Sequence, residues 1–178
     1  MDIKKTVEAE ESFLISLRRH FHENPELSQQ EWKTMDFIEE TLHGWGISTV
    51  RVPRGGIFGM IDSGKAGWTV LMRADIDALP IEENPKNLAC EKVCLSKNHG
   101  VSHACGHDGH MAMLLTAAKI LAAHKDEWEG KVLLMFEEAE EMGERGIGHL
   151  LSYLDEKKIH VDACYGTHMM YCLPAGKV

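Results

Sequence analysis

The sequence lacks an excess of basic residues. It has 19 Lys and Arg against 28 Asp and Glu, which gives a formal net charge of −9. A nucleic-acid-binding surface needs clustered Lys and Arg to neutralise phosphates, and an anionic membrane surface attracts the same side chains. We therefore expect neither nucleic acid nor a membrane among the partners of this chain, whereas an acidic protein can still bind cations.

Long apolar segments are also missing, since no run approaches the roughly 18 residues of a transmembrane helix. Residues 1–11 are charged and contain no apolar core of the kind found in secretory signals. We therefore expect a cytoplasmic location. The number of cysteines, five, is odd, and in that location it argues against a disulfide framework and leaves thiols available as metal ligands.

Apolar residues recur at helical and strand spacings along the chain. They predict helices at about Val7–Phe21, Ser28–Gly44, Asp108–His124 and Ile147–Leu154. They predict strands at Ile47–Val52, Ile57–Ile61, Trp68–Met72, Lys131–Phe136 and Asp162–Thr167. Ser28 and Glu31 have the spacing of a capping box, and Trp32 belongs to the predicted inward face of the second helix. The alternation predicts one α/β domain with a mostly parallel sheet flanked by helices.

The segment 103–110, HACGHDGH, contains the strongest chemical signal. A Cys thiolate and a neutral imidazole are both good ligands for zinc and related ions. Cys105 and His107 are two residues apart, and Gly106 between them allows both side chains to turn toward one centre. Asp108 has two open interpretations, either orienting an imidazole or capping the following helix. A chance cluster of surface histidines is the alternative interpretation of the whole segment.

Other metal-capable residues follow the ends of predicted strands, where ligands collect in α/β sheets. They are Asp75, Asp77, Glu140, Glu141 and His168. Paired carboxylates suit a split role in which one ligates a cation and the other moves a proton. An aspartate can hold a ligand imidazole in one tautomer. Taken alone, the acidic residues also fit turns or solvated loops, and the histidine also fits a structural role.

A second possible metal site would use His103 of the same segment. Cys90, Cys94, His99 and His103 resemble a zinc knuckle. The gap between Cys94 and His99 is, however, far shorter than the roughly dozen residues of a zinc finger. A structural zinc module built on these residues therefore stays open as an alternative with an unsuitable spacing.

Taken together and in this order, the motifs resemble the M20 metallopeptidase family, and within it the amidohydrolase branch. That branch includes hippurate hydrolases, auxin-conjugate hydrolases and bacterial N-acyl amino acid hydrolases. The matching stretches are 18–28 (RRHFHENPELS), 73–80 (RADIDALP), 103–110, 139–141 and His168. The resemblance implies the catalytic-domain fold of zinc exopeptidases and metal-dependent hydrolysis of the amide bond of small N-acyl amino acids.

The resemblance also implies a role for individual residues. Two divalent cations share a site whose ligands are Cys105, His107, Glu141 and His168. The cations polarise the carbonyl and acidify a water, and Glu140 takes the proton of that water and passes it to the leaving amine. Asp77 orients a ligand imidazole, and Asp75 is the alternative residue for this role. Zinc suits the Cys and His ligands, with manganese, cobalt and nickel as alternatives.

Two features depart from the family pattern. Glu137 and Glu138 stand where the family usually has Gln-Pro, which removes a fixed φ angle and adds negative charge beside the base. Family members also continue with an inserted dimerisation or lid domain and the rest of the catalytic domain, which carries a final His ligand. We therefore expect residues 1–178 to be the N-terminal part of a catalytic domain, with a second copy or a complementing C-terminal part as its protein partner.

The interpretation as the N-terminal part of an enzyme has an alternative from another class. A non-catalytic remnant that binds metal or a partner protein is favoured by the missing final ligand. The intact pair Glu140 and Glu141 favours the enzyme. Both interpretations predict that Cys105 and His168 lie within about 8 Å of each other, because ligand bonds are about 2.0–2.3 Å long.

Overall fold

The computed structural model describes residues 1–86, 91–143, 145–170 and 172–174. The helices are α1 (Ile3–Ala9), α2 (Glu11–Glu23), α3 (Trp32–Gly44), α4 (His107–Ala123) and α5 (Arg145–Glu156), with 3₁₀ turns at Lys125–Glu127 and Glu140–Met142. The strands are β1 (Ser48–Val52), β2 (Gly56–Asp62), β3 (Thr69–Asp75), β4 (Lys131–Glu137) and β5 (Ala163–Gly166). In these ranges we found no helix that combines the length and the apolar character required to cross a membrane.

The strands form one sheet in the order β1-β2-β4-β3-β5, with an antiparallel half and a parallel half. β2 is antiparallel to both β1 and β4, whereas β3 is parallel to both β4 and β5. The predicted α/β class is confirmed, and the sheet is mixed where a mostly parallel one was expected. Only residues 53–55 join β1 to β2, and so short a connection allows only antiparallel pairing.

Helices cover both faces of the sheet. On one face, α3 and α4 pack on the sheet and α2 packs on α4. Their shared core includes Phe21, Ile38, Leu115, Ile57 and Phe136. On the other face, α5 packs through Leu150 and Leu154 on side chains of β2, β3 and β4. Alternate residues of β4 enter the two clusters, because successive side chains of a strand point to opposite faces. Because helices pack on both faces, the middle of the sheet is held in place, and the loops that follow its strands start from fixed positions.

Three sequence expectations about the first 44 residues are wrong. The helix predicted from Val7 to Phe21 is two helices, α1 and α2. Ser28 and Glu31 form no capping box, because the Ser28 hydroxyl donates to the Asp77 carboxylate at 2.7 Å and Glu31 is completely buried. The helix begins instead at Trp32, whose side chain is exposed and does not face the core. Contacts with distant parts of the chain have replaced the local capping pattern.

Candidate metal centre

The predicted site residues meet at the edge of the sheet where the parallel strands end. β3 ends at Asp75, β4 at Glu137 and β5 at Gly166, and the N-terminus of α4 adjoins the same edge. Asp77, Glu140, Glu141 and His168 follow these strand ends by a few residues. Side chains from distant segments therefore come together where α/β proteins commonly bind ligands.

His107 lies at the centre of this group and is fully buried. Its Nδ1 donates to the backbone carbonyl of Asp77 at 2.9 Å and lies 3.2 Å from Asp77 Oδ1. Because a carbonyl oxygen can only accept, Nδ1 carries the proton and Nε2 keeps its lone pair. Burial lowers the pKa of His107, but the hydrogen bond with Asp77 and the nearby carboxylates outweigh burial and raise it above the ordinary value.

The Nε2 atom of His107 faces carboxylates without a hydrogen bond. It lies 3.7 Å from Glu141 Oε1 and 3.8 Å from Glu140 Oε2. Neither His107 Nε2 nor Glu141 Oε1 has a hydrogen-bond partner in the described part of the chain, although both atoms are buried. Buried polar atoms rarely stay unpaired, so this pair indicates a missing positive partner.

Cys105 and His168 complete the group on its open side. The Cys105 Sγ atom lies 3.5 Å from His168 Nε2, well inside the predicted separation of about 8 Å. Ligand atoms of Cys105, His107 and His168 all lie within 4.8 Å of one another. Burial, with the negative charges of Glu141 and other carboxylates, raises the pKa of the Cys105 thiol to about 12. A bound cation would oppose this effect and favour the thiolate.

Gly106 allows Cys105 and His107 to face the same centre. Its φ of 95° lies in the left-handed region, which glycine adopts without strain. A Cβ atom at this position would come within 2.8 Å of the Cβ atom of Met169, the residue after His168. The glycine is therefore required both by the turn and by the close approach of the loop that carries His168.

Asp77 links His107 to the turn that carries the two glutamates. Its Oδ2 accepts a hydrogen bond from the Glu141 backbone N–H at 3.0 Å and another from the Ser28 hydroxyl. Burial raises the pKa of Asp77, but the hydrogen bonds from His107, Ser28 and Glu141 outweigh burial and lower it below the ordinary value. Glu140 stays partly exposed, at 37% of its side-chain surface, beside the buried imidazole. A charged Asp77 therefore fixes both the imidazole and the turn.

Asp75 forms a hydrogen bond with a different imidazole, that of His110. Its Oδ1 accepts from His110 Nδ1 at 2.5 Å, and His110 Nε2 accepts from the Met169 backbone N–H at 2.8 Å. Asp75, His107 and His110 also bring ligand-type atoms within 4.8 Å of one another. Both ring nitrogens of His110 are already engaged, however, so it has no lone pair left for a cation.

Arg73 and Glu137 are site residues that sequence reasoning missed. The Arg73 guanidinium donates to Glu137 Oε2 at 2.7 Å and lies 3.2 Å from Asp75 Oδ2. It also comes within 4.0 Å of Glu140 Oε1. The position of Arg73 at the head of the 73–80 motif was the available signal. Its positive charge compensates the negative charge that Glu137 adds beside Glu140.

Asp108 neither orients a proposed ligand nor acts as the N-cap of α4, which begins at His107. One of its oxygens accepts from His22 Nδ1 at 2.6 Å and lies 3.1 Å from Arg18 Nε. The other accepts from the backbone N–H of Gly109. His22 uses its second nitrogen on Glu83, at 3.1 Å. This buried network ties α2 to the start of α4 and so supports the centre from behind.

The zinc-knuckle residues are not gathered in the described part of the chain. Cys90 lies outside the described residues. Cys94 is buried and donates to the Arg19 carbonyl, whereas His99 is highly exposed and pairs with Glu82. His103 is buried and has no hydrogen-bond partner among the described residues, and burial lowers its pKa to about 4. No metal-type group in the described ranges combines these residues.

The donor chemistry at the sheet edge fits a divalent cation. The two unpartnered atoms, His107 Nε2 and Glu141 Oε1, face each other, and the Cys105 thiol and the His168 imidazole lie beside them. Thiolate, imidazole and carboxylate are the ligand types of zinc and of related transition metals. The residues present therefore suit such an ion.

Known proteins share both the sequence and the fold. Residues 71–178 match the model of "Peptidase family M20/M25/M40". The N-acyl-L-amino acid amidohydrolase of Geobacillus stearothermophilus is 40% identical over 181 residues, which cover 99% of this chain and 46% of that protein. Thermostable carboxypeptidase 2 of Saccharolobus solfataricus is 40% identical over 98% of this chain and 43% of its own length.

A solved structure extends the agreement to three dimensions. A Bacillus subtilis protein described as a dinuclear metal-binding peptidase of the M20 family matches with a TM-score of 0.81 and 37% identity, over 94% of this chain and 45% of that one. This chain thus spans less than half the length of these relatives. The resemblance seen in the motifs is confirmed, and the chain belongs to the peptidase family M20/M25/M40.

Proposed function

We propose that the chain is the N-terminal part of a catalytic domain that hydrolyses the amide bond of N-acyl amino acids with two divalent cations. One observation carries the proposal: two unpartnered buried atoms, on His107 and Glu141, face each other beside a second carboxylate, that of Glu140. The substrate class follows the name of the Geobacillus relative, an N-acyl-L-amino acid amidohydrolase.

In this proposal Cys105, His107, Glu141 and His168 hold the cations. When bound, the cations supply Lewis-acid polarisation of the amide carbonyl and acidify the attacking water. His107 offers its Nε2 lone pair because Asp77 holds its proton on Nδ1. Cys105 gives up its proton to become a ligand, so binding releases protons and strengthens as the pH rises.

Glu140 is proposed as the group that moves protons. It differs from Glu141 in being more exposed, at 37% against 20% of the side-chain surface. Its oxygens lie 3.8 Å from His107 Nε2 and 4.0 Å from Arg73 Nη2. A carboxylate held beside the ligands but free to reach solvent can accept the proton of the attacking water. It can then deliver that proton to the leaving amine.

A cleft beside the centre suits a small substrate. It has a volume of about 530 Å³, within the usual range for small-molecule sites. It is lined by Cys105 and His168, by Gly109, Met169 and Met170, and by Arg18. The apolar walls suit an acyl group, and the guanidinium suits a carboxylate.

The remaining part of the site is proposed to come from sequence outside this chain. Relatives are more than twice as long as the matched part. We propose that an inserted dimerisation or lid domain and the rest of the catalytic domain, with a final His ligand, belong to the whole protein. A second copy or a complementing C-terminal part would then be the protein partner.

The test measures hydrolysis of a panel of N-acyl amino acids by the full natural protein and by residues 1–178 alone. Each is stripped of metal and then given Zn²⁺, Mn²⁺, Co²⁺ or Ni²⁺. We expect metal-dependent turnover by the full protein, and weak metal binding with little turnover by residues 1–178. Metal binding without turnover of any substrate by the full protein would instead identify a non-catalytic metal-binding protein.

A further inference from the structure

Glu31 is a buried carboxyl group that the proposed mechanism does not use. Its side chain is completely buried, immediately before α3. The carboxyl group makes no capping hydrogen bond with that helix. Helix capping therefore does not explain the position of Glu31. Solubility does not explain it either, because a buried polar group is costly and contributes nothing to the surface.

The contact that Glu31 does make is with the turn that carries Glu140 and Glu141. Its Oε1 accepts from the backbone N–H of Ala139 at 2.8 Å, across 108 positions of sequence. Ala139 is itself buried and has φ 56° and ψ 36°, in the left-handed region. This conformation is unfavourable for alanine, and it occurs where the extended strand β4 gives way to the 3₁₀ turn.

The hydrogen bond from Ala139 belongs to a set of three backbone N–H bonds that hold this turn. The backbone N–H of Glu138 donates to the Gly55 carbonyl at 3.0 Å, and that of Glu141 donates to Asp77 at 3.0 Å. Glu31 holds the N–H between them, at the residue with the unfavourable backbone angles. Loss of its acceptor would leave a buried N–H unpaired and remove the interaction that compensates the strain.

We propose that Glu31 is a positioning residue for the Glu140–Glu141 pair, holding Ala139 in the left-handed conformation that turns both carboxylates toward His107. The inference rests on the proposed function, for its catalytic consequence and for the metal site that includes Glu141. Burial raises the pKa of Glu31 to about 7 despite the Ala139 hydrogen bond. A carboxyl group offers an acceptor oxygen in either protonation state, so the acceptor matters here and not the charge.

Four variants of the full protein test this role: E31L removes the acceptor, E31Q keeps it, A139G removes the backbone strain, and E31L/A139G combines the two changes. We expect E31L to lower both kcat and the affinity for Co²⁺ by about 10–100-fold, as the loss of supporting contacts around metal sites does. E31Q should stay within about threefold of wild type. The double variant should recover about tenfold relative to E31L, because glycine adopts the left-handed region freely.

Cobalt affinity is read from the absorption of the bound ion, which does not require turnover, and circular dichroism monitors folding. If E31L cannot be isolated folded, E31D, whose carboxylate is one methylene short of Ala139, replaces it with and without A139G. Wild-type affinity and kcat in E31L would overturn the proposal, as would losses in E31Q equal to those in E31L, or no recovery with A139G. If wild type binds Co²⁺ but hydrolyses none of the substrates, the proposed function fails while the affinities still decide the role of Glu31.

Discussion

His107 and His110 lie one turn apart on α4, and both are buried against an aspartate, yet their second nitrogens differ. His110 binds Asp75 through Nδ1 and the Met169 backbone through Nε2. His107 binds Asp77 through Nδ1 and leaves Nε2 unpaired among carboxylates. The second nitrogen therefore distinguishes a histidine that supports the structure from one that can bind a cation. Sequence spacing alone does not make this distinction.

The same distinction applies beyond this helix. His22 uses one nitrogen on Asp108 and the other on Glu83, so it resembles His110. Its hydrogen bonds with Asp108 and Glu83 raise the pKa of His22 despite burial. His22 and His110 thus have complete hydrogen bonds, whereas His107 Nε2, Glu141 Oε1 and both ring nitrogens of His103 are unpartnered in the described part of the chain. The predictions below test this contrast between paired and unpaired groups.

The largest effect is expected from the two glutamates. In the full protein, Glu140→Gln should lower hydrolysis roughly 10²–10⁴-fold, the usual contribution of general acid–base catalysis, and leave metal content nearly unchanged. Glu141→Gln should lower metal content as well, because Gln is a poorer ligand than a carboxylate. Metal analysis beside kinetics gives the comparison. Equal loss of metal in both variants would show that the roles are wrongly assigned.

The contrast between the two histidines is tested by His107→Gln and His110→Gln. We expect the first to weaken Co²⁺ binding by more than about 100-fold, since even outer partners of ligands contribute 10–100-fold. The second should keep affinity within about tenfold and instead lower thermal stability, because Asp75 loses a buried hydrogen bond. Isothermal titration and thermal melts measure both quantities. Weaker metal binding in His110→Gln than in His107→Gln would reverse the assignment.

A smaller effect is expected for the residue that orients His107. Asp77→Asn keeps the backbone carbonyl that fixes the His107 tautomer, but it removes the negative charge beside the imidazole. It also replaces the carboxylate that accepts from Ser28 and Glu141. We expect metal affinity to fall about 10–100-fold. Ser28→Ala, which deletes one hydrogen bond to the same carboxylate, is the matched control and should cost less than about tenfold. An unchanged affinity in Asp77→Asn would remove Asp77 from the site.

Sequence reasoning found the strands to within a few residues and the side chains that meet at the centre. It succeeded there because periodicity and metal-ligand motifs are local properties. It failed where a side chain is used by a distant segment: Ser28 and Glu31 have the pattern of a capping box but bind Asp77 and Ala139. The pairing of Arg73 with Glu137 across neighbouring strands could not be read from spacing either.

Asp108 shows the same limit inside the strongest motif. Its position beside His107 suggested an orienting partner or a helix cap, and the sequence could not choose between them. The structure uses it on His22 of α2 instead. When several histidines flank a carboxylate, its hydrogen-bond partner can be identified only if the direction of each ring is known. The reason is that adjacent helical residues point to different sides.

The smallest effect is a pH dependence of stability in the metal-free protein. The pKa of Glu31 is raised to about 7 in the folded protein, chiefly by burial, against an ordinary value of 4.5. Between these values the folded state keeps a proton that the unfolded state has released, so the stabilising contribution is present below pH 4.5 and is lost as the pH rises toward 7. From pH 5 to pH 6, wild type should therefore lose about 1 kcal/mol relative to Glu31→Gln, close to the 1.36 kcal/mol that one pKa unit represents. Urea unfolding of both proteins at the two pH values measures this difference. Aspartates with lowered pKa values, such as Asp77 and Asp108, make the folded state more stable as the pH rises. Both proteins contain these aspartates, so their contributions cancel in the comparison. Parallel pH profiles for the two proteins would mean that Glu31 is charged in the fold, which would contradict the environment described for this carboxyl group.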